Sequence, residues 1–176
     1  MPKSSTPAMT GSRHLTHGEC LALIRAARKA TKDSYAPYSR YRVGAAVIAR
    51  NGQMWTGGNI ENASYPLSLC AERSALARAL GAGGSQFVAI AVASDALATP
   101  WPCGACRQVI AELAPQADIL VDLGGPTYEA FTVADLLPHA FTLAPKRATT
   151  KSVAAKAAPL KAARVRRPAS QKREAR

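Results

Sequence analysis

Four residues in two short runs are of types that could do chemistry together: Cys70 and Glu72 in Cys70-Ala71-Glu72-Arg73, and Cys103 and Cys106 in Pro102-Cys103-Gly104-Ala105-Cys106. A Cys-x-x-Cys at a helix start lets two thiolates converge while the helix dipole lowers their pKa. The spacing alone is compatible with a redox pair, with half of a structural zinc site or with part of a catalytic one. Cys70 shifts that balance, because it too is placed to open a helix. Three thiolates leave a tetrahedron incomplete. A structural zinc usually takes four protein ligands, whereas a catalytic zinc keeps the fourth position for water, so the count favours chemistry. Glu72, two residues beyond Cys70, can reach the open position without filling it. Bound zinc lowers the pKa of water from about 15.7 towards 7, and an adjacent carboxylate can carry the proton to a substrate. Three thiolates over-neutralise a divalent ion, so a nearby cation is needed to restore its acidity. Arg73 and Arg107, directly after Glu72 and Cys106, are the candidates to hydrogen-bond the thiolates; solvated or ion-paired arginines are the alternative.

The elements that must carry these residues follow from periodicity. Thr16 and Glu19 form a capping-box pattern, and Cys20, Leu23, Ile24 and Ala27 recur at helical spacing, which predicts a first helix to about Asp33. Cys20 on that stripe reads as a core thiol, and His14 and His17 as solvated histidines. Residues 43–50 and 53–57 read as strands joined by Asn51-Gly52, a strong hairpin signal. Residues 70–80 read as a helix closed by Gly81, 87–94 as a fully buried strand, and 103–113 as a helix ended before Pro115. Short strands at 119–123 and 128–131 follow, and Thr132 caps a last helical turn through Leu137. The expectation is an α/β fold, a layered α/β/α sandwich with a mixed sheet of about five strands.

Bulk properties bound the function. The chain has 176 residues, 48% hydrophobic, a size and apolar fraction suited to one domain. Its start has no apolar run of the kind a signal or membrane segment needs, so a cytoplasmic location is expected. Four cysteines in such a compartment are ligands, nucleophiles or core residues rather than a disulfide framework. The net charge of +12 is not spread evenly: residues 145–176 hold eleven of the 23 Lys and Arg, with Glu174 their sole acid. We therefore expect a flexible arm at 1–15, a zinc-dependent domain at 16–144 and a disordered basic tail at 145–176, either binding nucleic acid or other polyanions non-specifically or merely solubilising.

Cys70-x-Glu72 followed by Pro102-Cys103-x-x-Cys106 is the zinc-deaminase pattern, in which the Glu is an acid/base group and not a ligand. YAPYSRYRVGAA at 35–46, GNIENASYP at 58–66, CAER at 70–73, PCGACRQ at 102–108 and LLPHAF at 136–141 make the chain resemble cytidine deaminases of the short, homotetrameric, three-cysteine type. The resemblance implies hydrolysis of cytidine and 2'-deoxycytidine to the uridine forms with loss of ammonia, as in pyrimidine salvage, with attack at C4 and proton delivery to N3 by Glu72. It implies Zn2+ on Cys70, Cys103 and Cys106. Asn59 and Glu61 would hold the ribose hydroxyls, the Ala71 backbone would contact the base, and Phe141 would stack on a base bound in a neighbouring subunit. Glu61 would also repel a phosphate, favouring free nucleosides. Two positions depart from the pattern: Tyr41 replaces the usual Phe near the sugar, and Trp101 stands where smaller residues are common. The rival readings are a deaminase of another aminopyrimidine such as blasticidin S, against which Asn59-Ile60-Glu61-Asn62 speaks, and a nucleic-acid-binding protein with a structural zinc site.

Overall fold

The computed structural model describes residues 15–96 and 98–143. These fall within the first of two compact units, which ends at Leu143. The expected basic tail, and all but the last residue of the expected N-terminal arm, with His14, lie outside the described residues.

Helix α1 spans His17–Ala30 and opens on the expected capping box: Glu19 N–H donates to Thr16 Oγ1 at 3.3 Å and Thr16 N–H to the Glu19 carboxylate at 2.8 Å. It tightens into a 3-10 turn over Thr31–Asp33. Strands β1 (Val43–Ala49) and β2 (Met54–Gly58) form the hairpin, with Gly52 at φ 86°, a conformation that glycine adopts without penalty. Then come α2 (Ala71–Gly81), β3 (Phe87–Ser94), α3 (Gly104–Leu113), β4 (Asp118–Asp122), β5 (Tyr128–Phe131) and α4 (Val133–Leu136). Helix α2 runs one residue past the expected Leu80, taking in Gly81 as its last residue. The chain turns at Gly83, whose φ of 77° lets Gly84 N–H reach back to the Ala79 carbonyl at 2.8 Å.

The five strands form one sheet in the order β2-β1-β3-β4-β5. Only β3 and β4 run parallel, joined through α3, and the other pairs are antiparallel. Side chains alternate across a strand, and here the alternation sorts two cores. Ala45, Val47, Ile90, Val92, Ile119 and Val121 pack with α2 and α3. Ala46, Ile48, Ala89, Ala91, Ala93 and Leu120 pack with Cys20, Leu23, Ile24 and Ala27 of α1. The result is the expected three-layer sandwich with a mixed sheet. On the first side Trp55 meets Phe87 edge-on, their centroids 6.3 Å apart.

The helices lie close because the sheet is bare where they cross it. A Cβ on Gly44 would come within 2.1 Å of the Ala27 carbonyl oxygen, and one on Gly57 within 2.5 Å of the Ala75 amide nitrogen. These contacts press α1 and α2 against opposite faces of the hairpin. A bidentate pair fastens α1 to the end of β4: Arg28 donates Nε to Asp122 Oδ2 at 2.7 Å and Nη2 to Oδ1 at 2.5 Å.

Candidate active site

Two helix starts meet at the cysteines. Cys70 is the N-cap of α2 and Cys103 the N-cap of α3, both in extended backbone conformation and neither capped by a side-chain hydrogen bond. The two helix N-termini therefore bring partial positive charge to the place where the sulfurs gather. Cys106, one turn into α3, completes the group. The Sγ atoms of Cys70 and Cys103 are 3.7 Å apart, those of Cys103 and Cys106 3.5 Å, and all three lie within 4.8 Å of one another. A tetrahedral zinc with Zn–S bonds of about 2.3 Å sets sulfur–sulfur edges of about 3.8 Å. The donor set fits zinc in both chemistry and spacing.

The electrostatics point the same way. Cys70 is drawn down to about 5, first by its hydrogen bond with the Cys106 thiol, with burial opposing and Arg73 assisting. Cys106 is pushed up by that same hydrogen bond, then by burial and by the charge of Glu72. Three thiols this close cannot all ionise without a cation among them. Cys106 is fully buried and Cys103 exposed, so the cluster opens on one side.

Glu72 lies 3% exposed on the first turn of α2. Burial pushes its carboxyl up from the ordinary range. With Cys70, Ala71 and Cys103 it borders a cavity of about 180 Å³ that also meets Tyr41 and Asn59, below the 300–1,000 Å³ typical of drug-sized sites. Val43, Val92, Pro100 and Trp101 supply apolar wall. Three of these, Val43, Val92 and Pro100, escaped sequence reasoning, although the alternation of β3 places Val92 on the same face as Ile90.

Arg73 donates Nη2 to the Ser68 carbonyl at 3.0 Å and to Cys70 Sγ at 3.9 Å, and its buried Nε has no hydrogen-bond partner among the described residues. It is the cation beside the sulfurs. Arg107 is placed differently: Nε donates to the Pro102 carbonyl at 2.8 Å and Nη1 to the Leu136 carbonyl at 3.0 Å, tying the start of α3 to α4. The sequence could not separate the two arginines, because each directly follows a site residue.

Asn59 is locked to the backbone: Val43 N–H donates to its Oδ1 at 2.9 Å and its Nδ2 donates to the Tyr41 carbonyl at 2.9 Å. Glu61 accepts from Tyr38 N–H at 2.8 Å, from Ser39 N–H at 3.2 Å and from the Ser39 hydroxyl, and the Ser39 hydroxyl chiefly holds its carboxyl below the usual range. Its carboxylate is thus engaged by the Tyr38-Ser39 turn rather than lining the cavity. Phe141 also stands apart from the cavity, 71% exposed, its carbonyl accepting from Gln108 Nε2 at 2.8 Å. Of the other metal-capable residues, Cys20 is buried on α1 as expected, and His17 stacks on Tyr128 with Nδ1 3.1 Å from its hydroxyl.

Comparison with known proteins agrees with this geometry. Residues 11–121 match the family model of the cytidine and deoxycytidylate deaminase zinc-binding region. The chain is 51% identical over 122 residues to a cytidine deaminase of Halalkalibacterium halodurans, a match covering 68% of this chain and 92% of that protein. It resembles the crystal structure of cytidine deaminase from Burkholderia pseudomallei with a TM-score of 0.66 and 45% identity, over 72% of this chain and all of that one. The cytidine deaminase of Mycobacterium tuberculosis is similar at a TM-score of 0.61 and 37% identity, over 69% and 96% of the two chains. With its cysteines and Glu72 gathered inside this architecture, the chain belongs to the cytidine and deoxycytidylate deaminase family.

Proposed function

We propose that this protein hydrolyses cytidine and 2'-deoxycytidine to uridine and 2'-deoxyuridine with release of ammonia. The observation that carries the reading is the meeting of three sulfurs at tetrahedral spacing with a buried carboxylate on the wall of one small cavity. Zinc is the cofactor, matching both the donor set and the family's zinc-binding region. When bound it supplies a Lewis acid that brings a water pKa from about 15.7 towards 7.

The residues then divide the work. Cys70, Cys103 and Cys106 hold the metal, and Arg73 offsets part of their charge through its contact with Cys70. Glu72 takes one proton from the attacking water and delivers it to N3 of the base as oxygen joins C4. It passes the second to the exocyclic amine as the C4–N bond breaks, so one water is consumed and one ammonia leaves. Ala71 meets the base through its backbone. Asn59, with Tyr41 beside it on the cavity wall, addresses the ribose, and Glu61 joins it by exchanging the Ser39 hydroxyl for a hydroxyl of the sugar. Phe141, exposed and held by its carbonyl, covers the base of a neighbouring subunit in a homotetramer. The 145–176 segment binds nucleic acid or other polyanions and takes no part in deamination. No described helix is long and apolar enough to cross a membrane.

The test is direct. Zinc-loaded protein is incubated with cytidine, blasticidin S and a cytosine-containing oligonucleotide, and ammonia is measured. Release from cytidine alone is expected. Release from blasticidin S or the oligonucleotide in preference to cytidine, or from none of them at one zinc per chain, overturns the proposal.

A further inference from the structure

Trp101 is a bulky residue on the wall of a small cavity. It stands between two buried prolines, Pro100 and Pro102, whose rings fix their own backbone angles, and its N–H donates to the Thr99 carbonyl at 2.9 Å. The indole is braced against Phe131 of β5, the ring centroids 5.1 Å apart and the planes inclined at 60°. It is 47% exposed and borders the cavity beside Pro100, Val92 and Cys103. A stiff backbone and an aromatic brace together make a wall that does not yield easily to an entering group.

Where that wall meets the base follows from chemistry, on the reading that the site deaminates cytosine nucleosides. C4 has to lie at the cysteines and Glu72. C5 and the exocyclic nitrogen are each one bond from C4, whereas N1, which bears the sugar, lies across the six-membered ring. An indole that lines this cavity two residues from Cys103 is placed to meet the C4 and C5 edge of the base. We infer that the indole of Trp101 is a specificity-determining wall that excludes substituents on C5 and on the exocyclic amine, restricting the enzyme to unmodified cytosine. One methyl-sized group against an apolar wall alters kcat/KM by about 10- to 200-fold.

The experiment compares zinc-loaded wild type, Trp101→Ser and Trp101→Phe on cytidine, 2'-deoxycytidine, 5-methylcytidine and N4-methylcytidine. Formation of the uridine product is followed, and the oligomeric state of each variant is measured by light scattering. Trp101→Ser should raise kcat/KM for the methylated substrates relative to cytidine by about tenfold or more. Trp101→Phe should move it the same way by less, which keeps the test open if the serine variant does not fold. The ratio of cytidine to 2'-deoxycytidine should stay fixed, because the sugar lies across the ring. Methyl discrimination that persists in the variants, a shift of all the ratios together, or a change of oligomeric state with the ratios intact overturns the inference and makes Trp101 a packing residue. Failure of the wild type to deaminate cytidine is a separate result, which removes the functional reading and this inference with it.

Discussion

Replacing Glu72 by Ala removes a carboxylate that borders the cavity yet is not among the gathered sulfurs. Turnover of cytidine should fall by about 10²- to 10⁴-fold or more, the worth of a general acid/base group, with zinc content by atomic absorption still near one per chain. Replacing the fully buried Cys106 by Ala should instead lose the metal. Normal zinc in the cysteine variant, or lost zinc in the glutamate variant, would reverse the division of roles. The contrast arises from what each atom joins: the Cys106 sulfur is one of the three gathered together, whereas the Glu72 carboxylate is outside that group and borders the cavity.

At the scale of elements, the hairpin is gripped on both faces, and Gly44→Ala should show how tightly. Its Cβ would meet the Ala27 carbonyl oxygen at 2.1 Å and the Thr31 amide nitrogen at 2.6 Å. Both are backbone atoms that cannot swing aside, so a loss at or above about 1–3 kcal/mol is expected from denaturant unfolding. An unchanged midpoint would mean that α1 can shift outward at no cost. Gly44 itself gave no such signal in the sequence, since a contact between layers leaves no local periodicity. The elements were more legible. The strand at 87–94 matches its expected bounds, and the Asn51-Gly52 hairpin and the Thr16 and Thr132 caps appear where local chemistry required them. Helix α2 ends within one residue of its expected bound, at Gly81 rather than Leu80, while the left-handed turn beyond it falls at Gly83. The cysteine cluster was legible because Cys103 and Cys106 form a local Cys-x-x-Cys and Cys70, 33 residues before Cys103, is also placed to open a helix. The separate placements of Arg73 and Arg107 were not, since they depend on carbonyls of Ser68 and Leu136 that only folding brings near.

The stability of the whole molecule should carry the signature of Arg28 and Asp122. Burial pushes the Asp122 carboxyl up, but the Arg28 guanidinium and the Gly124 N–H together hold it below its ordinary value. A depressed carboxylate stabilises the fold above its unfolded pKa of about 3.9, and the contribution disappears as pH falls through the folded value. Asp122→Asn should therefore cost about 1.5–3 kcal/mol near pH 7, towards the lower figure because the Arg28 side chain is 33% exposed. Thermal melts should show the gap narrowing as pH falls below about 3.9 and on through the lower folded value; a gap unchanged down the whole acid limb would argue against the pair. The assembly has its own test. Mixing Phe141→Ala subunits with Glu72→Ala subunits should restore some activity if the aromatic acts across subunits, and verified exchange without recovery would oppose it. Truncation after Ala144 should leave turnover intact and abolish low-salt DNA retention, whereas unchanged retention, or a collapse in catalysis, would refute the assignment of the tail.

The chain has two tryptophans, and the fold has given them different neighbours. Trp55 is half-buried and edge-on to Phe87, while Trp101 stands at the cavity beside Phe131. The protein consequently has two built-in optical reporters. Trp101 emission should respond when a non-hydrolysable nucleoside enters, and Trp55 emission when the layers separate. In the Trp101→Phe variant the remaining signal becomes a single-site readout of unfolding, so ligand entry and loss of structure can be followed on separate channels without attaching a dye.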